Sequence, residues 1–518
     1  MVTFRSGRKA APLLTVPTDT IIPFHYWDDD HHTRGLSFDV TFRFDDILDP
    51  EKLRGALSRL LELGDWRKLG ARIRRNAEGG LEYHVPQWFD DKRPGFAYST
   101  VAYDDMNVAD HPQASHLAQP HHLDAAGRPC VLGLTDTMTP EFRSFIRTPM
   151  FPDRLEGWLS SDSPQLGVRI ITFQDATLVT VSFLHSLMDM MGLDAVLAAW
   201  SAVLRGREDE VQPLVGFAHD PLAGLAESKS EPPPKYVFTD TLLIGWTWFL
   251  FAVRYLLTVE LFWQRREEER VIFLPAKYLQ QMRDKAMGEL ASRDTSDGGK
   301  PVFLSEGDIL FAWWTRVVIR AARPSLGRTV NLRNTYCCRS ILAELGHLPS
   351  ATCALVTNAV FATLTFLSVR QILEDPLSVT ASEIRRSLIQ QRNAEQLHAL
   401  DTIQRNTLDN AHHPALFGNP SMYMVMISNW VKAKLFEVDF SAAVEREGMA
   451  LDKRSNPLGR PSCIQGTGTK GYATRNTGVV IGKDAAGNFW LLYSLRKGIW
   501  PAVEQQLRSM SEGDGILL

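Results

Sequence analysis

The stretch from Val168 to Leu204 leaves a chain of this kind few ways to fold. Residues 168–184 read VRIITFQDATLVTVSFL, two apolar, β-branched runs on either side of Gln174-Asp175-Ala176. That is the pattern of a hairpin. The second run goes straight into His185. Beyond Gly192, the residues Leu193, Val196, Leu197, Trp200, Val203 and Leu204 share one helical face. Strand, short loop and amphipathic helix follow one another, which predicts a sheet covered by helices.

The same mixture runs through the chain. Ser37–Phe42 alternates with period two, like a half-buried strand. Asp49 suits an N-cap, Pro50 the first turn, and Leu53, Leu57, Leu60 and Leu61 the buried face of the helix that follows. A short strand is expected at Val271–Leu274, and helices over 277–287, 307–321 and 381–400. A closing hairpin is expected across Asp484–Asn488, from Gly478–Ile481 to Phe489–Leu492. The class is α/β, and 518 residues exceed one ordinary core, so two domains are expected. Residues 205–236, rich in Pro, Gly and charge and including Glu231-Pro232-Pro233-Pro234, read as a linker. The division is an N-terminal domain over 1–215, a linker with an apolar helix over 216–264, and a C-terminal domain over 265–518.

Charge and cysteine usage exclude several functions. A net charge of −4 gives no reason to expect nucleic acid, and the basic run Arg5–Lys9 reads as a solvated tail. Five cysteines without a Cys-x-x-Cys spacing indicate neither a disulfide framework nor a zinc site. No metal is expected. The N-terminus lacks a signal-peptide core, so a cytoplasmic protein is expected. One segment complicates this. Residues 242–253 read LLIGWTWFLFAV, and after Arg254 the chain continues YLLTVELFW to Trp263. A membrane span needs about 20 apolar residues; Arg254 and Glu260 interrupt this one. A packed helix, a peripheral membrane contact and a true span all stay open, with Trp246, Trp248, Trp263 and Arg265-Arg266 suiting an interface.

Two histidines are followed four residues later by aspartate, His25/Asp29 and His185/Asp189. Context separates them. His25 stands in FHYWDDDHH, which reads as a polar surface loop. His185 ends an apolar strand and precedes a helix, so its ring can be held rigidly, as a general base requires. The plainer readings are a satisfied histidine at a strand end and, for Asp189, a helix N-cap. Gly466-x-Gly468-x-x-Gly471 matches a dinucleotide fingerprint but follows a proline-containing loop, so a flexible loop is expected instead.

The stretch Ser182–Gly192, SFLHSLMDMMG, resembles the His-x-x-x-Asp signature of the BAHD acyltransferase superfamily, and the chain is similar to the fungal O-acetyltransferases of secondary metabolism. Further landmarks come in order. Ser305–Leu310 with Ala312-Trp313-Trp314 resembles the family helix that opens the second core, and Asn331–Arg339 resembles the strand carrying a family arginine. Ser428-Asn429-Trp430 resembles the Thr/Ser-x-Trp segment, and Asp439-Phe440 the start of Asp-Phe-Gly-Trp-Gly. After Phe440 the sequence runs Ser441-Ala442-Ala443, so the rest of that last motif is missing. Leu184 stands where condensation domains of peptide synthetases carry a first histidine, which favours free acyl-CoA over a carrier-protein donor.

The resemblance implies two chloramphenicol-acetyltransferase-like domains with mixed sheets and an active-site channel between them. It implies acetyl transfer from acetyl-CoA, as cosubstrate, to a hydroxyl of an alkaloid, terpenoid or meroterpenoid, by a monomer. His185 would be the base, with Ser428 and Trp430 as oxyanion donors. Asp189, Gly192, Arg339 and Asp439 would be structural, Arg339 or else Arg333 pairing with Asp189. Lys470 and Arg475 are candidates for the CoA phosphates. The alternatives are a non-catalytic or membrane-attached accessory on the same scaffold, and an N-acyltransferase.

Overall fold

The computed structural model describes residues 15–117, 128–132, 139–226, 234–257, 266–294, 303–350, 352–471 and 474–509. Its strands in chain order are β1 (Leu36–Phe44), β2 (Ala97–Tyr103), β3 (Cys130–Leu132), β4 (Leu166–Phe173), β5 (Thr177–Leu184) and β6 (Glu267–Leu274). They continue with β7 (Thr329–Cys337), β8 (Val360–Ser368), β9 (Tyr423–Asn429), β10 (Pro461–Lys470), β11 (Thr477–Lys483) and β12 (Phe489–Arg496). Smaller sheets include one built from Thr20–Pro23, Arg72–Arg75 and Leu81–Val85.

The 168–184 region forms its hairpin, β4 and β5, with Thr172 opposite Thr177. They lie in a five-stranded sheet of order β10-β1-β5-β4-β2, antiparallel except for the parallel β2/β4 pair. A seven-stranded sheet has the order β8-β7-β9-β11-β12-β6-β3, with β7, β9 and β11 parallel. Each half of the chain lends a strand to the other's sheet. β10 closes the first sheet beside β1, and β3 lies on the outer edge of the second.

Helices α1 (Pro50–Glu62) and α2 (Met190–Leu204) cover the first sheet. Asp49 caps α1 by accepting from the Glu51 and Lys52 amides. Leu53, Leu57, Leu60 and Leu61 bury against Leu193, Val196, Leu197 and Trp200 of α2, and burying such a side chain stabilises by about 1.5–3 kcal/mol. After the short α3 (Gly245–Ala252), α4 (Glu306–Ala322) carries Ile309, Phe311, Trp314 and Val318 into the second core, against Leu332 of β7 and Val425 and Ile427 of β9.

Four local expectations change. The helix expected over 381–400 is two, Leu377–Gln391 and Ala394–Ala411, because Asn393 leaves the helical conformation and caps the second through the Gln396 amide. β1 is buried on both faces rather than one, since its polar residues are paired inside: Asp39 accepts from Ser182 at 2.7 Å and meets Arg143 and Arg147. Gly466 and Gly468 lie in strand β10 rather than a loop, and a Cβ on Gly468 would come within 2.1 Å of the Ser37 carbonyl, so glycine permits the close pairing with β1. The FHYWDDDHH stretch is not a surface loop: His25, Trp27 and Asp28 are buried.

Residues 242–257 form helix α3 and a π-turn over Val253–Leu257. Ile244, Trp246, Phe249 and Leu250 stand exposed, while Leu243 and Phe251 pack on Leu416 and Met422. Residues 258–265 lie outside the described part. Among the described residues no helix is long and apolar enough to cross a membrane.

Candidate active site

The end of β5 sets the position of His185. Its amide donates to the Leu36 carbonyl at 2.8 Å, which keeps the residue in register with β1, and the chain then turns through Leu187, whose amide donates to Leu184. Three carbonyls of the turn meet side-chain groups. Asn358 Nδ2 donates to the His185 carbonyl at 2.8 Å, and the Tyr83 hydroxyl to that of Ser186 at 2.8 Å. The Met188 carbonyl lies 3.1 Å from His185 Nδ1.

That last contact fixes the ring. A backbone carbonyl only accepts, so Nδ1 must carry the proton and Nε2 keeps its lone pair. The side chain is half-buried. Burial lowers the pKa of His185 below the ordinary histidine value, outweighing the Met188 hydrogen bond and the fields of Asp189 and Asp30. An imidazole so held is neutral at pH 7 and can take a proton on Nε2.

Asp189 faces away from that nitrogen. One carboxylate oxygen accepts from the Gly192 amide at 2.8 Å, capping α2. Arg339 Nη2 and Nη1 donate to its two oxygens at 2.8 and 2.9 Å, and the Ala359 amide donates at 3.0 Å. Arg339 Nη2 also donates to the Leu355 and Thr357 carbonyls, and Nη1 to Cys337 Sγ at 3.3 Å. The pair is buried and ties α2 to the second half of the chain. Arg333 is not part of it. Gly192 is required by space: a Cβ there would stand 2.6 Å from the Val356 carbonyl oxygen.

Ser428, the last residue but one of β9, lies beside Thr335 of β7 and Val479 of β11. Trp430 Nε1 donates to the Ser428 hydroxyl at 3.0 Å, which leaves the hydroxyl proton of Ser428 to point elsewhere. Phe38 of β1 links this pair to the histidine, its ring edge-on to His185 at 5.0 Å and to Trp430 at 6.1 Å.

The other expected residues lie further out. Asp439 caps its own turn through the Ser441 amide and meets Arg205, just past α2, at 3.3 Å. Lys470 is opposite Leu36 across the sheet, two strands from His185, or about 10 Å. It pairs with Glu269 and donates to Thr474 at 3.0 Å; burial pulls its pKa down to about 8. Arg475 is buried, 3.7 Å from Glu267. Both cations thus meet carboxylates of β6.

Sequence reasoning missed a second tier. Asp28 is buried, and its carboxylate accepts from the Asn358 amide at 2.9 Å and from its Nδ2 at 2.8 Å. Desolvation raises the Asp28 pKa to about 7, against the lowering influence of Lys68 and Asn358. Lys68 is also buried; it donates to the Gly216 carbonyl and lies 5.2 Å over the Tyr83 ring. Asp28 and Lys68 therefore orient the two residues, Asn358 and Tyr83, that hold the histidine turn. No local pattern marks them, because their hydrogen-bond partners are 103 to 330 positions away.

No family model matches the chain. Acetyltransferase sphE of Aspergillus fumigatus is 84% identical over 510 residues, covering 98% of this chain and 99% of that protein. Acetyltransferase adrJ of Penicillium rubens is 38% identical over 98% of this chain and 99% of its own length. At the same identity and coverage of 98% of each, calD of Penicillium decumbens bears the name of a transcriptional regulator. Among solved structures, TRI101 of F. sporotrichioides complexed with coenzyme A and T-2 superposes with a TM-score of 0.61 at 18% identity, over 95% of this chain and 97% of that one. With the fold, the histidine turn and these relatives in agreement, the chain belongs to the family of fungal acetyltransferases and O-acyltransferases and is an O-acyltransferase.

Proposed function

We propose that the enzyme transfers acetyl from acetyl-CoA to a hydroxyl of a secondary metabolite, with His185 as general base. The observation that carries this reading is the Nδ1 contact to the Met188 carbonyl, which directs the Nε2 lone pair of a desolvated, neutral imidazole outward. Nε2 takes the proton of the acceptor hydroxyl as the oxygen attacks the thioester carbonyl. The negative charge that forms on the carbonyl oxygen is met by the Ser428 hydroxyl, oriented by Trp430. The imidazolium then returns its proton to the departing sulfur, so the histidine ends as it began. Asp189, Arg339 and Gly192 fix the turn and leave the substrate alone.

The acetyl group is supported by the names of sphE and adrJ, and the secondary-metabolite acceptor by the T-2 complex of TRI101. The test is CoA release from acetyl-CoA by wild type and His185→Ala with a panel of terpenoid and alkaloid alcohols. Turnover lost in a folded mutant supports the base; equal rates in the two proteins overturn it. The exposed Ile244, Trp246, Phe249 and Leu250 support a peripheral membrane contact as part of the same reading. Co-sedimentation of the full chain with vesicles, lost in Trp246→Ser/Phe249→Ser, checks it; a wild type that stays wholly in the supernatant refutes it.

A further inference from the structure

Arg333 differs from most interior arginines, and from Arg316, which meets no carboxylate but donates to the Ile372 and Asp375 carbonyls. Arg43, Arg147, Arg339 and Arg454 each meet a carboxylate, on Asp45, Asp39, Asp189 and Asp46 respectively. The Nε of Arg333 is buried without a hydrogen-bond partner, and among the described residues no carboxylate pairs with its guanidinium. Burial weighs against its charge, and Tyr236 nearby is a phenol that its own burial keeps protonated. The Tyr236 hydroxyl is itself committed to Gln391 at 3.0 Å. Arg333 is half-buried and only its Nε is among the sealed atoms, so a partner from outside can reach the end of the guanidinium.

Its place in the sheet says where that partner must be. In the parallel pairing of β7 with β9, Thr335 is beside Ser428 and Arg333 beside Met426. Alternate residues of a strand share a face, so Arg333, Thr335 and Ser428 project to the same side. The opposite side, with Leu332, Val425 and Ile427, is sealed into the second core. Arg333 is thus about 7 Å along the strand from the level of Ser428. Ser428 on that face accepts from Trp430, and Phe38 touches both Trp430 and His185, which puts the face on the histidine's side.

We propose that Arg333 binds an acidic group of the acceptor, a carboxylate, and thereby selects which hydroxyl reaches His185. The proposal rests on the acyl-transfer reading above. A guanidinium presents a planar fork of donors that matches a carboxylate in a bidentate pair. One guanidinium neutralises one negative charge, which fits a single carboxylate better than the several charges of the coenzyme A phosphates. Arg333 would be a specificity-determining residue: it touches the substrate and takes no part in proton transfer.

The test offers wild type, Arg333→Gln and Arg333→Lys a panel in which each alcohol appears as free acid and as methyl ester, with CoA release as the readout. Wild type is expected to prefer acids. Arg333→Gln is expected to raise the KM of the acids about ten- to a hundred-fold, leaving the esters and the KM of acetyl-CoA unchanged, with Arg333→Lys between. Preference of wild type for esters overturns the proposal. So does a raised KM for acetyl-CoA in Arg333→Gln, which would give the guanidinium to the donor phosphates, or an equal loss on both members of each pair.

A binding measurement separates this idea from the reaction itself. Calorimetric titration of CoA-loaded protein with octanoate and methyl octanoate should show acid binding that Arg333→Gln lacks. Such binding with no turnover of any alcohol would fault the acyl-transfer reading and leave Arg333 its role; no acid binding by wild type sinks the proposal. Because Arg333 lacks a partner, Arg333→Gln should keep or raise Tm, and a clear fall would make it a structural residue instead.

Discussion

The chain contains the same spacing twice within one junction, and the two copies do opposite things. His185 and Asp189 divide their work. The histidine ring is half-buried and held by one carbonyl, and the aspartate reaches back to Gly192, Ala359 and Arg339. In the other pair, His25 is 4% exposed, with Nδ1 3.3 Å from the Thr357 hydroxyl and Nε2 without a partner. Burial, with help from Lys68, drives its pKa down to about 3. Asp29 turns outward to Arg34 at 2.6 Å on a part-exposed surface. The two sites are neighbours through Thr357 and Asn358, since Asn358 bridges Asp28 to the His185 carbonyl. Spacing alone therefore says nothing of chemistry. A ring oriented by one hydrogen bond and open on its far nitrogen can do work; a ring sealed on every side is part of the wall.

The comparison breaks first on activity. His185→Ala should lose about 10²–10⁴ in kcat, the usual contribution of a positioned base, while His25→Ala should stay within a few-fold of wild type. CoA release from acetyl-CoA measures both, and a larger loss in His25→Ala would reverse the assignment. Stability should separate the aspartates. Asp189→Ala strands the buried Arg339 guanidinium and should cost about 3–5 kcal/mol. Asp29→Ala removes a part-exposed pair and should cost under about 1 kcal/mol. Denaturant melts of the two variants decide this, and equal midpoints would mean that the Asp189–Arg339 pair carries no special load.

Much of this was legible in the residues and some could not be. The hairpin before His185 and helix α2 follow from apolar periodicity, which depends on near neighbours only. The position of His25 does not: nothing in FHYWDDDHH announces burial, because the partners that its buried polar groups do find, Thr357, Asn358 and Asp401, are more than three hundred positions away. Gly466 and Gly468 misled for a related reason. Their glycines let β10 approach β1 across the two halves of the chain, and a strand lent to a distant sheet leaves no local signature. Asn358 and Tyr83 matter through single hydrogen bonds to main-chain carbonyls, and a carbonyl has no letter in the sequence.

The bridge between the two sites gives a sharper test. Asn358→Ala removes the donor to the His185 carbonyl and one of the two donors to Asp28. Leaving a buried acceptor unpaired costs about 1–3 kcal/mol, and a looser turn should lower kcat about tenfold with the KM of acetyl-CoA unchanged. Tyr83→Phe, which loses only the donor to the Ser186 carbonyl, should do less. A drop in stability with kcat intact would make Asn358 a purely structural strut.

The smallest expected effect, and the one that reads the histidine directly, is the pH dependence. Burial disfavours the charged imidazole, so the His185 pKa lies below 6.5 and the base is already free at pH 7. The rate should be flat above that pKa and fall only as the pH drops through it, when protonation blocks Nε2. His25, with a pKa of about 3, stays neutral across the same range and contributes nothing to the limb. In Asp189→Asn, if it folds, the lost negative charge removes an influence that raises the pKa, and the acid limb should move lower still. A limb above 6.5 in the kcat/KM profile would mean that the field of Asp189 outweighs burial, and one that moves upward in Asp189→Asn would mean that this field does not act on the base.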